Sequence, residues 1–286
     1  MLNLAAKPHY PNIARGAVDP PMKLDNCSAL ITGASAGIGG EFARQLAMRA
    51  QSLVLVARRE ERLNELREEL QHRNAQLNVH VRAVDLCDKS QIDDLIAWLE
   101  HDKINIDCLI SNAGLGDYGS FATSDPERND RIIQVNIVAL TLLTRRLLPQ
   151  MIARKRGAIL NVSLSAGFLP IPGMAVYAAS KGYVNSFSEA LRAELRGKGV
   201  TVTALCPGPV HTEFGDVAKR PGGQSERGPE FVYISLEKTV RDALATVEAD
   251  RPLVIPGLAM KLGMFLVRIT PMPILRLAWQ LGAKRG

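Results

Sequence analysis

Acidic residues are missing from the last stretch of this chain. Between Pro252 and Gly286 there is no Asp or Glu, against Lys261, Arg268, Arg276, Lys284 and Arg285. Cysteine is scarce too, with four in 286 residues, at 27, 87, 108 and 206. No Cys-x-x-Cys pair occurs and no His stands at ligand spacing, which argues against a zinc site or a redox dithiol. Three of the four lie in apolar strand-like runs, so they read as reduced core thiols of a cytosolic, cytoplasmic protein. The net charge of +6 is spread along the chain without an aromatic-interleaved basic patch, which argues against nucleic-acid binding. No uncharged apolar run of about 18 residues exists, so no segment is expected to span a bilayer. Residues 1 to 24 lack the apolar core of a signal peptide; with Pro8, Pro11, Pro20 and Pro21 they read as an extended arm.

What remains is ordinary globular material, 47% hydrophobic and 22% charged, enough for a sizeable core. From Cys27 onward, short apolar runs alternate with segments of helical period. The strands are expected at 27–32, 52–56, 79–84, 106–111, 158–163, 200–205 and 253–255. The helices are expected at 38–49, 60–73, 90–101, 128–154, 175–196 and 236–248. Continuous apolar strands separated by helices imply an α/β fold, a doubly wound parallel sheet covered on both faces. No repeat or linker divides it. The organisation expected is an N-terminal arm at 1–24, one domain at 25–256 and a basic amphipathic tail at 257–286.

The first strand runs into Thr32-Gly-Ala-Ser-Ala-Gly-Ile-Gly39 and opens a helix. Glycines 33, 37 and 39 let a backbone turn tightly, approach a pyrophosphate and pack helix on strand, with the helix N-terminus facing the anion. Ser35 and Ile38 of the same turn are counted with them as nucleotide-binding residues. The second strand ends at Ala57-Arg58-Arg59, where an NAD site would offer Asp or Glu; Arg58 suits a 2′-phosphate and so NADP. The plainer alternative is that both arginines only begin a charged, exposed helix. Asp85, after the third strand, is placed for the adenine edge or as a helix cap.

Tyr177 and Lys181 stand four apart in the segment expected to be helical from 175 to 196, so they share one face. An ammonium near a phenol favours phenolate and makes a proton donor or acceptor usable near neutral pH. Alone, the pair could be an accident of a solvated helix.

With Ser111-Asn112-Ala113-Gly114 ending the fourth strand, the chain resembles the short-chain dehydrogenase/reductase family. The resemblance covers about residues 25 to 256 and rests on signals in the family's order: the 32–39 glycine turn, Asn112-Ala113-Gly114, Asn136, Tyr177 with Lys181, and Pro207-Gly208. It implies a single Rossmann-type domain with seven parallel strands, assembled as a homodimer or homotetramer. The implied activity moves a hydride between NADP(H) and a carbonyl or alcohol. By that likeness Asn112, Ala113 and Gly114 line the adenosine side, Tyr177 is the acid/base, and Lys181 also holds the nicotinamide ribose. Asn136 would position a water linking Lys181 to solvent, although a helix-kinking role fits it as well. Pro207, Gly208, Val210 and Thr212 would close over the nicotinamide.

One position departs from the family. The serine that bonds the substrate oxygen normally lies thirteen residues before the tyrosine, and here that residue is Leu164, flanked by Ser163 and Ser165. On a regular strand the two serines share a face that Leu164 does not. If the strand turns or bulges there, Ser165 is the nearer substitute, and it is taken as the fourth catalytic residue. An NADP-binding protein with little turnover is the alternative reading. Substrate selection would fall to 115–118, 168–174 and 211–234, where Phe168, Leu169, Ile171, Pro172, Met174, Phe214 and Phe231 favour an apolar ketone, aldehyde or secondary alcohol. His211 is expected on the cofactor-covering turn, and Gly222, Gly223 and Gly228 suggest a lid. The tail reads as two short basic amphipathic helices broken at Pro271 and Pro273. Such helices can pack on a second subunit or over the substrate mouth, the reading preferred here, or make peripheral contact with a membrane.

Overall fold

The structure, a computed structural model, describes residues 22–220 and 230–276. One parallel seven-stranded sheet organises them, in the order β3-β2-β1-β4-β5-β6-β7. Its strands are β1 Ser28–Thr32, β2 Ser52–Ala57, β3 Asn78–Ala83, β4 Cys108–Ser111, β5 Gly157–Val162, β6 Val200–Leu205 and β7 Leu253–Val254. β1 pairs with both β2 and β4. The chain therefore winds outward to one edge, returns to the middle and winds to the other. At that reversal the loops leaving β1 and β4 part, and a crevice opens at the carboxyl ends of the strands.

The helices are α1 Gly37–Leu46, α2 Glu60–Arg73, α3 Lys89–His101, α4 Pro126–Ile133, α5 Leu140–Ala153, α6 Ala175–Glu194, α7 Phe214–Ala218, α8 Leu236–Glu248 and α9 Leu258–Ile269. They cover the sheet in two layers because strand residues alternate between its faces. Ile31 and Leu55 meet Phe42 and Leu46 of α1, Leu63 and Leu70 of α2 and Val240 and Leu244 of α8. Leu30 and Val54 belong instead with Ile92 and Leu95 of α3, Leu143 and Leu147 of α5 and Leu191 of α6. Each such side chain contributes about 1.5–3 kcal/mol when fully buried. Strand β2 is buried along its whole length, which is why it reads as an unbroken apolar run.

Three elements differ from the sequence expectation. The helix expected at 128–154 starts earlier, at Pro126, where Asp125 accepts a hydrogen bond from the Glu127 amide at 3.0 Å. A π-turn over Gln134–Ala139 interrupts it. The whole 126–153 run is long and apolar enough to cross a membrane, with a mean hydropathy of 1.3 over its most apolar window, but its inner face is part of the core. Among the described residues of the tail, only Pro271 breaks a helix. Pro273 lies within the helical turn that follows, where a missing N–H has no partner to lose. The short helix α7 was not foreseen. Most of the arm, the glycines at 222, 223 and 228, and the end of the tail lie outside the described residues.

The chain leading into β1 is fastened to the end of α8. The Leu24 amide donates to Glu248 Oε1 at 3.1 Å, and Arg49 bonds both Asp25, at 2.8 Å, and Glu248, at 2.6 Å.

Candidate active site

The turn after β1 is shaped by close approach. Gly33 and Gly37 have φ of +68° and +54°, the left-handed region that favours glycine. A Cβ on Gly39 would lie 2.3 Å from the Gly33 carbonyl oxygen, so this residue packs α1 onto the turn and does not line the cavity described below. Thr32 Oγ1 accepts from the amides of Asn112 and Ala113, each at 3.0 Å, and Asn112 Nδ2 donates to the Thr32 carbonyl at 2.9 Å. These bonds stitch the loop after β1 to the loop after β4 across the reversal. α1 begins without a side-chain cap, leaving its first amides to whatever fills the crevice.

The crevice is a cavity of about 1060 Å³, large enough for a dinucleotide with a substrate beside it. Gly33, Ser35, Gly37 and Ile38 form its floor, and Asn112, Ala113 and Gly114 the wall at β4. Pro207, Gly208, Val210 and Thr212 form the opposite side, with the Thr212 methyl 3.3 Å from where a Cβ on Gly37 would stand. Arg58, Arg59 and Asp85 line the far end. Arg58 makes no hydrogen bond within the described residues. Its neighbour Arg59 donates to Ser35 Oγ at 3.2 Å and to Glu213 at 3.3 Å, while Arg62 holds the same Glu213 at 2.8 Å. The cap of α3 is Asp88, which accepts from the Ser90 amide, so Asp85 does not fill that role. Asp85 Oδ1 accepts instead from the Cys87 amide at 3.0 Å.

At the other end stand Tyr177 and Lys181, both buried on the inner face of α6. Lys181 Nζ donates to the Val162 carbonyl at 2.8 Å and lies 5.8 Å from the centre of the Tyr177 ring. Burial lowers the ammonium to about pKa 8 and pushes the phenol well above its ordinary range. The expected lowering of the phenol by Lys181 is therefore outweighed by desolvation. Tyr177 is held as the neutral phenol, a proton donor, beside a cation that burial makes easy to discharge.

Asn136 lies in the π-turn and is almost wholly buried. Its Oδ1 accepts from the Leu115 amide and its Nδ2 donates to the Leu115 carbonyl, both at 2.9 Å, and to Ser180 Oγ at 2.9 Å. Ser180 in turn donates to the Tyr177 carbonyl at 2.7 Å. Asn136 makes no direct bond to Lys181; Gly114 lies between them, and a Cβ there would be 3.4 Å from each. The asparagine thus clamps the loop after β4 and is tied through Ser180 to the backbone of the tyrosine.

The expected strand alternation across 163–165 does not hold, because β5 ends at Val162 and a 3₁₀ turn begins at Ser165. All three residues line the cavity. Ser163 Oγ is committed to the Lys181 carbonyl at 2.9 Å. Ser165 is fixed by its amide on the Pro207 carbonyl at 2.9 Å, and its hydroxyl bonds nothing among the described residues.

Over this end lies α7, whose Phe214 ring packs against Tyr177 at 5.4 Å between centroids. Arg220, just past α7, grips the buried Asp117 with Nε at 3.0 Å and also reaches the Ser120 carbonyl. Arg128 joins the Gly116 and Val217 carbonyls, so the lid is riveted to the loop after β4. Leu115, Tyr118, Ile171, Pro172, Met174, Phe214 and Tyr233 give this end its apolar wall, while Phe168 and Leu169 stay outside it. His211 is exposed, stacked on Tyr233 and paired with Glu230 at 3.0 Å.

A sequence model described as short chain dehydrogenase matches residues 28–221. The chain belongs to the short-chain dehydrogenase family. A sulfoacetaldehyde reductase of Chromohalobacter salexigens is 42% identical over 190 residues, which span 64% of this chain and 72% of that protein. A short-chain dehydrogenase from Sphingobium yanoikuyae in complex with NADPH superposes with a TM-score of 0.74 at 31% identity, covering 91% of this chain and 94% of the other. The bulky-bulky ketone specific alcohol dehydrogenase from Comamonas testosteroni does so at 0.71 and 28%, covering 86% and 95%.

In this short-chain dehydrogenase, sequence reasoning passed over three groups: Arg59, Ser180, and the Asp117–Arg220 pair. The arginine doublet at 58 and 59 was a visible signal for the first. For Ser180, the spacing of three from Tyr177 along α6 was available. Asp117 and Arg220 fall within the 115–118 and 211–234 stretches expected to select substrate, but no local signal pointed to their pairing across 103 residues.

Proposed function

We propose that the protein is an NADP(H)-dependent oxidoreductase acting on an apolar ketone, aldehyde or secondary alcohol. The observation that carries the reading is a single cavity with a basic end, at Arg58 and Arg59, and a proton-donating end, at Tyr177, Lys181 and Ser165. The NADPH bound to the Sphingobium relative and the bulky ketones of the Comamonas enzyme support cofactor and substrate class respectively. The glycine turn and the uncapped start of α1 fit a pyrophosphate. Ser35 and the two arginines fit the 2′-phosphate, and Thr212 and Pro207 fit the roof over the nicotinamide.

Held by the glycine turn, Ser35 and the arginines, NADPH would supply the hydride for the carbonyl carbon. The pi electrons of the carbonyl move to oxygen, which takes the Tyr177 proton, giving the alcohol. Ser165 Oγ, without another partner among the described residues, donates a hydrogen bond to the same oxygen and orients it. Lys181 stabilises the phenolate left behind, and its low proton affinity lets it pass a proton on to restore the phenol. Phe214 and the apolar wall exclude water from the reacting centre. Oxidation of an alcohol is the same path reversed.

The reading without turnover rests on Leu164 alone, and the neighbouring Ser165 hydroxyl removes most of its force. Assembly is read as homo-oligomeric, as the family resemblance implies, and the 126–153 helix leaves Ile133 exposed and Ile137 and Val138 half-buried in a single chain; sedimentation of the pure protein tests it. The functional test is NADPH oxidation across a panel of bulky ketones and long aldehydes. Tyr177→Phe should lower turnover by about 10²–10⁴ while NADPH binding, followed by fluorescence, stays within a few-fold. No oxidation with any carbonyl while NADPH still binds would restore the alternative.

A further inference from the structure

Helix α9 is apolar on two sides. Its inner side rests on the 3₁₀ turns Ser165–Phe168 and Glu230–Val232. Met264 is buried there, and Met260 presses on Gly208, where an added Cβ would meet its methyl at 2.5 Å. Its outer side carries Leu258, Leu262, Phe265, Leu266 and Ile269, each between 56% and 73% exposed. At about 100° per residue these five fall within one narrow arc of the helix. Met272 and Ile274 continue the exposed surface beyond Pro271. Apolar side chains scattered singly on a surface need no explanation, but a contiguous stripe does.

Charge decides what covers it. No acid occurs from Pro252 to the end of the sequence. Positions 261 and 268, both basic and seven apart, lie on the same flank of the stripe, and Lys261 is exposed. Glu230, on one of the turns under the inner side, is already paired with His211. A second copy meeting this face across a two-fold axis would bring the same acid-free basic segment against itself. An anionic surface supplies the missing counter-charge, and long basic side chains beside an apolar stripe can lie along it with their heads in the headgroup layer. Twelve residues rise only about 18 Å, too short to cross a hydrocarbon core of about 30 Å.

We propose that α9 docks the protein on an anionic lipid bilayer, lying in the plane of the interface with Leu258, Leu262, Phe265, Leu266 and Ile269 in the acyl boundary. The proposal stands apart from the reductase reading. Flotation of the full chain with vesicles tests it. The protein should rise with vesicles of phosphatidylcholine mixed with phosphatidylglycerol, and stay at the bottom with phosphatidylcholine alone. A Leu262→Asp/Phe265→Asp variant should bind the mixed vesicles at least about tenfold more weakly, because two side chains leave the acyl boundary. Lys261→Glu should weaken binding several-fold, and added salt should do the same to the wild type. Both positions are exposed, so thermal melts and NADPH binding should match the wild type and show the fold intact. Failure of the wild type to float, equal flotation on neutral vesicles, or undiminished flotation of the double variant overturns the proposal. So does a dimer in sedimentation that the double variant converts to monomer, since the stripe would then be a subunit contact.

Discussion

Lys181 is a cation buried where burial is costly, and this gives the site a pH signature. Its folded pKa, about 8, lies below the ordinary 10.5. Between those values the unfolded chain holds a proton that the folded chain has released, so stability rises with pH through that window. Below pH 8 the folded protein carries the whole penalty, roughly 3 kcal/mol. Lys181→Met should therefore melt higher than the wild type at pH 7, and the gap should close towards pH 10, as thermal melts at the two values would show. Carbonyl reduction should fall as pH rises through about 8, where Lys181 loses its charge. At Ser165 the expectation is kinetic: Ser165→Ala should lower kcat by about 10²–10³, against little change for Leu164→Ala. Glu213 ties up Arg59 and Arg62 across the mouth of the cavity. Glu213→Gln should tighten NADPH by about two- to fivefold relative to NADH, the scale of one lost exposed ionic competitor, in a titration of each nucleotide. Tyr177 and Lys181 were legible because a spacing of four needs only a helix to acquire meaning. The preference for Ser165 over Ser163 depended on the strand turning near that point, and where β5 stops is not fixed by spacing.

The elements themselves were largely readable from period and punctuation, with misses where a local rule was overridden. The helix from 126 to 153 shows how. Its sequence has the periodicity of one continuous helix, yet Asn136 bonds the Leu115 backbone twice. That tertiary demand is met by a π-turn at the asparagine for which the sequence allowed a helix-kinking role, although periodicity alone did not show it. Asn136→Ala should leave the half-buried amide and carbonyl of Leu115 unpaired and cost about 1 kcal/mol each. The expected outcome is a lower melting temperature and a higher KM than Tyr177→Phe shows, since the clamp shapes the loop and does not touch the reacting atoms. In the tail the same logic separates the two prolines: Pro271 follows α9 and ends it, while Pro273 falls in a first turn that tolerates it.

At the scale of the molecule the sheet was the most legible feature, since seven apolar runs separated by helical segments admit few other arrangements. What no run of residues could reveal is how distant parts are fastened. Arg220 and Asp117 join the lid to the far side of the crevice, and Arg49 joins the start of the core to the end of α8. That second fastening has a consequence for how the molecule breathes. Leu24 and Glu248, in the last turn of α8, are more than two hundred residues apart, but the Leu24 amide and the Arg49 guanidinium both donate to the one Glu248 carboxylate. Hydrogen exchange at the two places should therefore proceed through a common opening, with a single free energy. Arg49→Ala should speed both together while leaving the amides of β2 and β4 as slow as before.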